Sequence, residues 1–229
     1  MFLFPPMNDP RAREWQVTRI RAADIEAAGT LLGAAFADDP VIAYYFPDKA
    51  SRPRLCTTLT TVATSLTMEY GHALMLSEGG ELRAAALLLP PSTPNFPLTA
   101  IVRHLAAAPS LWRPRSILRY FGVTGSVDRF RPPAPHWTLM TLGVDPAFQG
   151  RGYGSFLLRS ALTSTAGEEE VFLETYNASN LRFYRQHGFA LDHTFRTHGG
   201  RGPQCWTMRR AEGGERALSG DRRASGRSR

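Results

Sequence analysis

Residues 136–154 read HWTLMTLGVDPAFQGRGYG. The stretch 136–144 reads as a strand, and DPAFQGRGYG (145–154) is a glycine-rich turn. From Ser155 to Thr165 a helix is expected, with Phe156, Leu157, Ala161 and Leu162 as its apolar side. Glycines at 150, 152 and 154 let the backbone approach a ligand closely and take positive φ. The free N–H groups at the start of the helix then converge on one spot, with the helix dipole behind them, which is an anion site suited to a pyrophosphate. Taken alone, the same turn is also an ordinary tight strand-to-helix connection. It is not a P-loop, because no Gly-Lys-Ser/Thr follows, and its G-x-G-x-G spacing is not the dinucleotide fingerprint.

Working outward, Val171–Thr175 reads as a short strand and 181–187 as a short helix stopped by Gly188. Two more strands are expected at 189–196 and 204–209. Toward the N-terminus, Trp15 to Ile20 alternates with the period of a half-buried strand. Ile25, Ala28, Leu32 and Ala35 mark an amphipathic helix ending near Phe36. In DDPVIAYYFPD (38–48) two prolines bracket a short aromatic turn of helix. Leu55, Leu59, Val62 and Leu66 place a helix over 51–70, with Gly71 as its stop. Strands at 72–77 and 81–89 flank Gly79-Gly80 as a hairpin. The segment 90–135 holds nine prolines but is too apolar for a linker. It reads as an insert of two helices, near 98–108 and 115–123, packed on the rest of the domain. The expected organisation is a flexible arm at 1–14, one domain over 15–210 carrying the insert, and a disordered basic tail at 211–229.

The composition narrows the function classes. Hydrophobic residues are 43% and charged residues 21% of the 229, a globular balance. The net charge of +7 invites a nucleic-acid reading. Its distribution argues against one, because residues 209–229 alone carry seven arginines against three acids. Lys49 is the single lysine among 27 cations, and no aromatic stripe runs between the arginines. No nucleic-acid and no membrane partner is therefore expected. The longest strongly apolar run, Ala84 to Leu89, is far short of the roughly 20 residues of a membrane span. Cys56 and Cys205 stand far apart, so neither a disulfide scaffold nor a zinc ribbon is indicated. The six histidines form no HxxxH or HxH pair, and no metal is expected. The reading is a cytoplasmic protein.

Three runs together carry a resemblance: Leu142-Gly143-Val144-Asp145-Pro146, Gln149-x-x-Gly152-x-Gly154, and Asn180-Leu181-x-Phe183-Tyr184-x-x-x-Gly188-Phe189. This pattern is similar to the GNAT superfamily of N-acetyltransferases, whose signature is (Arg/Gln)-x-x-Gly-x-(Gly/Ala). Within it, 136–155, LETYNASNLRFYRQHGF, the GPQCWTM ending and the AAFADDP run resemble the puromycin N-acetyltransferase group. The resemblance is strongest over 136–209 and looser over 15–89. It implies an α/β fold with a central mixed, mostly antiparallel sheet that splays between its fourth and fifth strands, flanked by helices. It also implies acetyl-coenzyme A in the gap. The pyrophosphate would lie on the amides of Gly150, Arg151, Gly152, Tyr153 and Gly154, with Gln149 in the same signature. Leu142, Gly143 and Val144 would pair with the pantetheine arm, and Asn180 would contact it; Asn180 also reads as an ordinary helix N-cap, and the two roles can coexist. Arg151 is either a phosphate contact or a solvated surface arginine.

Acetyl transfer to an amine needs a neutral amine, donors for the oxyanion and a proton for the departing thiolate. By the resemblance, Tyr184 is the candidate acid, and the N–H of Leu142 or Val144 the oxyanion donor. Strand alternation puts His136, Thr138, Met140, Leu142 and Val144 on one side. His136, acting through water, and Glu174 are rival candidates for the base. Phe36, Asp39, Tyr44 and Tyr45 are candidate acceptor-binding residues, although Asp38 or Asp39 is equally a helix cap. No Ser or Cys sits in a recognisable triad, so direct attack in a ternary complex is expected. The expected activity is acetyl transfer from acetyl-coenzyme A to a primary amine of a small molecule. The alternatives are acetylation of a protein N-terminus or lysine, and a non-catalytic acyl-coenzyme A-binding module.

Overall fold

A computed structural model describes residues 15–93, 95–166 and 169–211. The expected arm at 1–14 and all but the first residue of the expected tail lie outside the described residues. Seven strands form one sheet: β1 (Trp15–Arg19), β2 (His72–Glu78), β3 (Glu81–Leu89), β4 (Trp137–Val144), β5 (Val171–Thr175), β6 (Ala190–Arg196) and β7 (Gln204–Arg210). Their order is β1-β2-β3-β4-β5-β7-β6, and every pairing is antiparallel except β4 with β5. Seven α-helices flank it: α1 (Ile25–Phe36), α2 (Pro40–Tyr45), α3 (Arg52–Tyr70), α4 (Leu98–Ala106), α5 (Pro114–Val127), α6 (Tyr153–Ala161) and α7 (Asn180–Arg185). Among the described residues no helix is long and apolar enough to cross a membrane.

Both faces of the sheet are covered, and β3 shows why its sequence is a continuous apolar run. Ala84, Ala86 and Leu88 pack with Leu157, Leu158 and Tyr184 on the side of α6 and α7. Ala85 and Leu87 pack with Leu31 and Leu32 of α1 on the opposite side. A strand buried on both sides has no polar face to alternate with. A third cluster, on the same side as α1, joins α2, α3 and α5 to β5 through Ile42, Tyr45, Leu55, Val123 and Phe172.

Two irregularities of β4 shape its centre. The register with β3 shifts between Leu87↔Thr141 and Leu88↔Leu139, which leaves Met140 as an extra residue, a β-bulge. The parallel pairing with β5 covers only Trp137↔Val171, Thr138↔Phe172 and Leu139↔Leu173. Beyond Leu139 the two strands part, β4 staying with β3 and β5 with β7. The splay therefore opens at the bulge.

The bulge corrects the expected alternation along β4. Trp137, Leu139, Leu142 and Val144 all pack on the α6 side, whereas Met140 packs on the α1 side and Gly143 faces α1. One inserted residue flips every side chain after it, so Leu142 and Val144 do not share a face with His136 and Thr138. The insert at 90–135 is also less enclosed than its composition suggests. Ala100, Leu111, Val123 and Val127 are buried, but Leu98, Val102, Trp112, Leu118 and Phe121 stand largely in solvent.

Candidate active site

The glycine turn begins where Asp145 caps the 3-10 turn Pro146–Phe148, its Oδ1 accepting from the Ala147 N–H at 2.9 Å. Gly150 follows at φ 76° and Gly152 at φ 95°, a region that side chains with a Cβ enter only at a cost. The first helical bond of α6 runs from the Phe156 N–H to the Gly152 carbonyl at 3.0 Å. The N–H groups of residues 152–155 thus lack partners within the helix. A Cβ on Gly150 would meet nothing within 4 Å, so the turn faces open space. Positive charge lies beside it: the Arg83 and Arg151 guanidiniums sit 3.9 and 4.9 Å from the Phe148 ring centre. Open space, free donors and cationic flanks together fit a diphosphate.

The turn is anchored from below. The Tyr153 hydroxyl donates to Glu78 Oε2 at 2.6 Å and the Trp15 indole donates to Glu78 Oε1 at 2.7 Å. These two donors, Tyr153 first, hold the Glu78 carboxyl below its ordinary range. The Tyr153 side chain is therefore buried structure, and only its backbone N–H faces the turn.

Along β4 the Asp145 N–H donates to the Arg83 carbonyl of the β3 side at 3.0 Å. Backbone polar groups alternate along a strand, so those of Gly143 point the same way, whereas those of Val144 and Leu142 point into the splay. The Gln149 amide donates to the Val144 carbonyl at 3.2 Å, covering the mouth of that gap. Gly143 has a packing role: a Cβ there would lie 2.7 Å from Leu32 Cδ2 and 3.3 Å from the Phe36 ring. Phe36 packs at this seam between α1 and the α2–α3 cluster.

Two residues face the opening from opposite sides of the sheet, linked through charge. Tyr184 is buried on the α6–α7 side, packed by Phe183 and Phe189, and its hydroxyl has no hydrogen-bond partner among the described residues. Burial first, and the Asp39 carboxylate second, raise that hydroxyl's pKa. Asp39 belongs to the other side of the sheet, where its Oδ1 caps α2 by accepting from the Val41 N–H at 2.9 Å. Burial raises its carboxyl too. Asp38 is exposed. Asn180 is not the cap of α7; its amide turns back to donate to Thr175 Oγ1 at 3.1 Å, tying the helix to the end of β5.

Glu174 lies just past the last β4–β5 pair, on the α2–α5 side. Burial raises its carboxyl, opposed by the hydrogen bond that the Tyr176 hydroxyl donates to Oε1 at 2.9 Å and by the charge of Arg131. Tyr45 and Tyr120 complete this group, their rings 5.6 Å apart. Tyr120 is 41% exposed as a residue, but its hydroxyl end is buried and feels the Glu174 charge. Sequence reasoning missed Tyr176, Tyr120 and Arg131. Tyr176 was within reach, because it sits two residues after Glu174 and so shares its face. Tyr120 and Arg131 lie in the insert, where no motif pointed to them.

Two expected residues are not brought to the opening. His136 precedes the first paired residue of β4, at the end away from the splay. Its Nδ1 lies 2.8 Å from the Ala134 carbonyl and its ring 5.7 Å from that of Phe172. Tyr44 turns toward the β6–β7 loop, its hydroxyl 2.7 Å from His198 Nδ1 and its carbonyl accepting from Arg119 at 2.9 Å. Burial pushes the Cys56 thiol up to about 12 and raises that of Cys205, so neither offers a thiolate near neutral pH. Among the described residues no group of three His, Cys, Asp or Glu is placed to hold a metal ion.

Comparison with known proteins speaks for the family and the fold. The model of an acetyltransferase (GNAT) domain matches residues 118–191. The N-alpha-acetyltransferase RimI of Mycobacterium tuberculosis is 35% identical over 127 residues, which cover 54% of this chain and 76% of that protein. Among solved structures, a histone acetyltransferase HPA2 and related acetyltransferase from Corynebacterium glutamicum superposes with a TM-score of 0.63 at 22% identity, over 87% of this chain and 97% of that one. Arylalkylamine N-acetyltransferase 2 from Aedes aegypti gives 0.60 at 15% identity, over 86% and 98%. At these identities the two structures speak for the fold alone.

Proposed function

The chain belongs to the GNAT acetyltransferases, and on that premise we propose that it transfers the acetyl group of acetyl-coenzyme A to the primary amine of a small molecule, by direct attack in a ternary complex. The observation that carries the acceptor half of this reading is the walled group at the splay: Asp39 and Glu174 among Tyr45, Tyr120 and Tyr176. Two carboxyls with phenolic walls suit a compact cationic amine, through charge and through the ring faces. The resemblance to the puromycin group points the same way, to an antibiotic-like amine.

Acetyl-coenzyme A supplies an activated acyl carbon; the chain supplies everything around it. The amides of 150–154 hold the diphosphate, and the inward-facing backbone of Leu142 and Val144 takes the pantetheine arm, with Asn180 beside it. Glu174 accepts the proton that the incoming ammonium must lose, and its raised pKa brings it nearer to neutral pH, where a base works best. His136 is too far down β4 to share that role. The N–H of Leu142 or Val144 donates to the oxyanion. Tyr184 keeps its proton throughout the neutral range and presents it to the leaving sulfur. Its raised pKa favours hydrogen-bond donation over complete transfer, so the proton that the attacking nitrogen sheds as the amide forms is the one the departing thiolate takes up.

One finding favours a second acceptor. The RimI relative is named for acetylating α-amines, and its identity with this chain is well above that of the structural neighbours. The deciding experiment incubates the protein and acetyl-coenzyme A with a panel of small amines and, in parallel, with peptides bearing free α-amines, reading free thiol release. Turnover of small amines supports the proposal. Turnover confined to peptides overturns it in favour of the second reading, and binding of acetyl-coenzyme A without any turnover favours a non-catalytic module.

A further inference from the structure

From Leu82 through Val127 the chain contains no aspartate or glutamate, while it carries Arg83, Arg103, Arg113, Arg115 and Arg119. The insert helices fall within this acid-free stretch. On them and in the link between them, Leu98, Val102, Trp112, Leu118 and Phe121 are each more than half exposed. Leu98 and Val102 are one turn apart on α4, and Leu118 and Phe121 one turn apart on α5, so each helix presents an apolar stripe. Trp112 joins them: its indole donates to the Leu105 carbonyl at the end of α4 at 2.8 Å, and it stands two residues before α5. Arg113 and Arg115, both exposed and without an ion pair among the described residues, follow it directly. Acids approach this stretch from other elements: Glu69 on Arg103, Asp48 near Arg113, and Glu174 with Asp128 near the inward hydroxyl of Tyr120.

Each of the two helices is tied to the rest of the domain. Arg103 pairs with Glu69 of α3, the Ser116 hydroxyl donates to the Tyr45 carbonyl at 2.8 Å, and Arg119 donates to that of Tyr44 at 2.9 Å. Turning the stripes inward would break all three. A second copy is a poor occupant, because two acid-free arginine faces would oppose each other in a chain of net charge +7. Leucine, tryptophan and phenylalanine projecting beside unpaired arginines instead match a surface that offers hydrocarbon under a layer of negative charge. We propose that the α4–α5 insert is a docking surface for an anionic lipid bilayer. Trp112, Leu118 and Phe121 enter the interface while Arg113 and Arg115 meet the headgroup phosphates. This adds a partner that the sequence reading did not expect, and it does not depend on the acetyltransferase reading.

The test is flotation of the full chain with vesicles of phosphatidylcholine alone or mixed with phosphatidylglycerol, at low and high salt. Binding is expected only to the mixed vesicles and should weaken as salt rises. Leu118→Ser with Phe121→Ser should weaken it about tenfold or more. Arg113→Glu with Arg115→Glu should weaken it by about fivefold or more for each position reversed. All four side chains are exposed, so melting temperatures should match the parent. The variants retain the arginine-rich C-terminal segment, so binding that survives in them belongs to that segment and overturns the proposal. Absence of binding to either vesicle overturns it as well. So does a dimer in sedimentation equilibrium that Leu118→Ser with Phe121→Ser dissolves, since a second copy would then be the occupant.

Discussion

Glu174 gives up solvent to stand beside Tyr176, and burial raises its carboxyl above the ordinary 4.5. A carboxyl raised in the folded state contributes stability that is present below its unfolded pKa and lost as pH rises through its folded one. Glu174→Gln removes that titration and keeps an oxygen for the Tyr176 hydroxyl. The variant should therefore melt at or above the parent temperature at neutral pH, with its advantage growing as pH rises past 4.5. Meanwhile kcat should fall by about 10²–10⁴. Melting curves at acid and neutral pH beside kcat on the same preparations check both halves; unimpaired turnover would remove Glu174 as the base. Tyr184→Phe separates chemistry from packing in the same way. The ring stays against Phe183 and Phe189, so melting should change little, and the loss should fall on kcat with acetyl-coenzyme A affinity nearly unchanged. A variant that loses stability but keeps turnover would make Tyr184 a core residue only.

At the scale of elements, the bulge at Met140 and the glycines around it do different work. Gly152 starts α6 at φ 95°, and Gly143 lets α1 lie against β4. Gly152→Ala should cost about 1–2 kcal/mol in stability and also weaken acetyl-coenzyme A, because the strained turn carries the free N–H groups. Gly143→Ala should cost about 1–3 kcal/mol through overpacking against Leu32. It should leave the dissociation constant, measured well below the melting temperature, close to the parent value. Calorimetry on the two variants distinguishes them. If Gly143→Ala weakens binding more than Gly152→Ala does, the diphosphate site is misplaced and the β4 edge is the dominant contact.

For the whole molecule, the proposed ligand bridges parts that the sheet holds apart: the α6 turn, the β4 edge and α7. Binding should therefore raise the melting temperature, by the equivalent of about 2.7 kcal/mol at a hundredfold excess over the dissociation constant. An unchanged melting curve at saturating acetyl-coenzyme A would contradict the site. Much of this architecture was legible in the chain itself, because it is written in local rules. Alternation placed the first strand, apolar runs between turn signals placed others, Gly71 and Gly188 ended helices, and the G-x-G-x-G turn announced free amides before a helix. The opening of the sheet after Leu139 came only through resemblance, since no local pattern says where two strands stop pairing. Tertiary structure alone decided which residues meet there. Met140 bulges because β3 and β4 differ by one residue in register, and that single insertion turned Leu142 and Val144 to the other face. Tyr120, far away in the insert, reached Glu174 because α5 packs on α2, whereas Tyr44, beside Tyr45 in sequence, turned to His198. Periodicity records how a residue relates to its own element; which carboxyl, phenol or amide it faces depends on contacts between elements, and those are set by packing across the core.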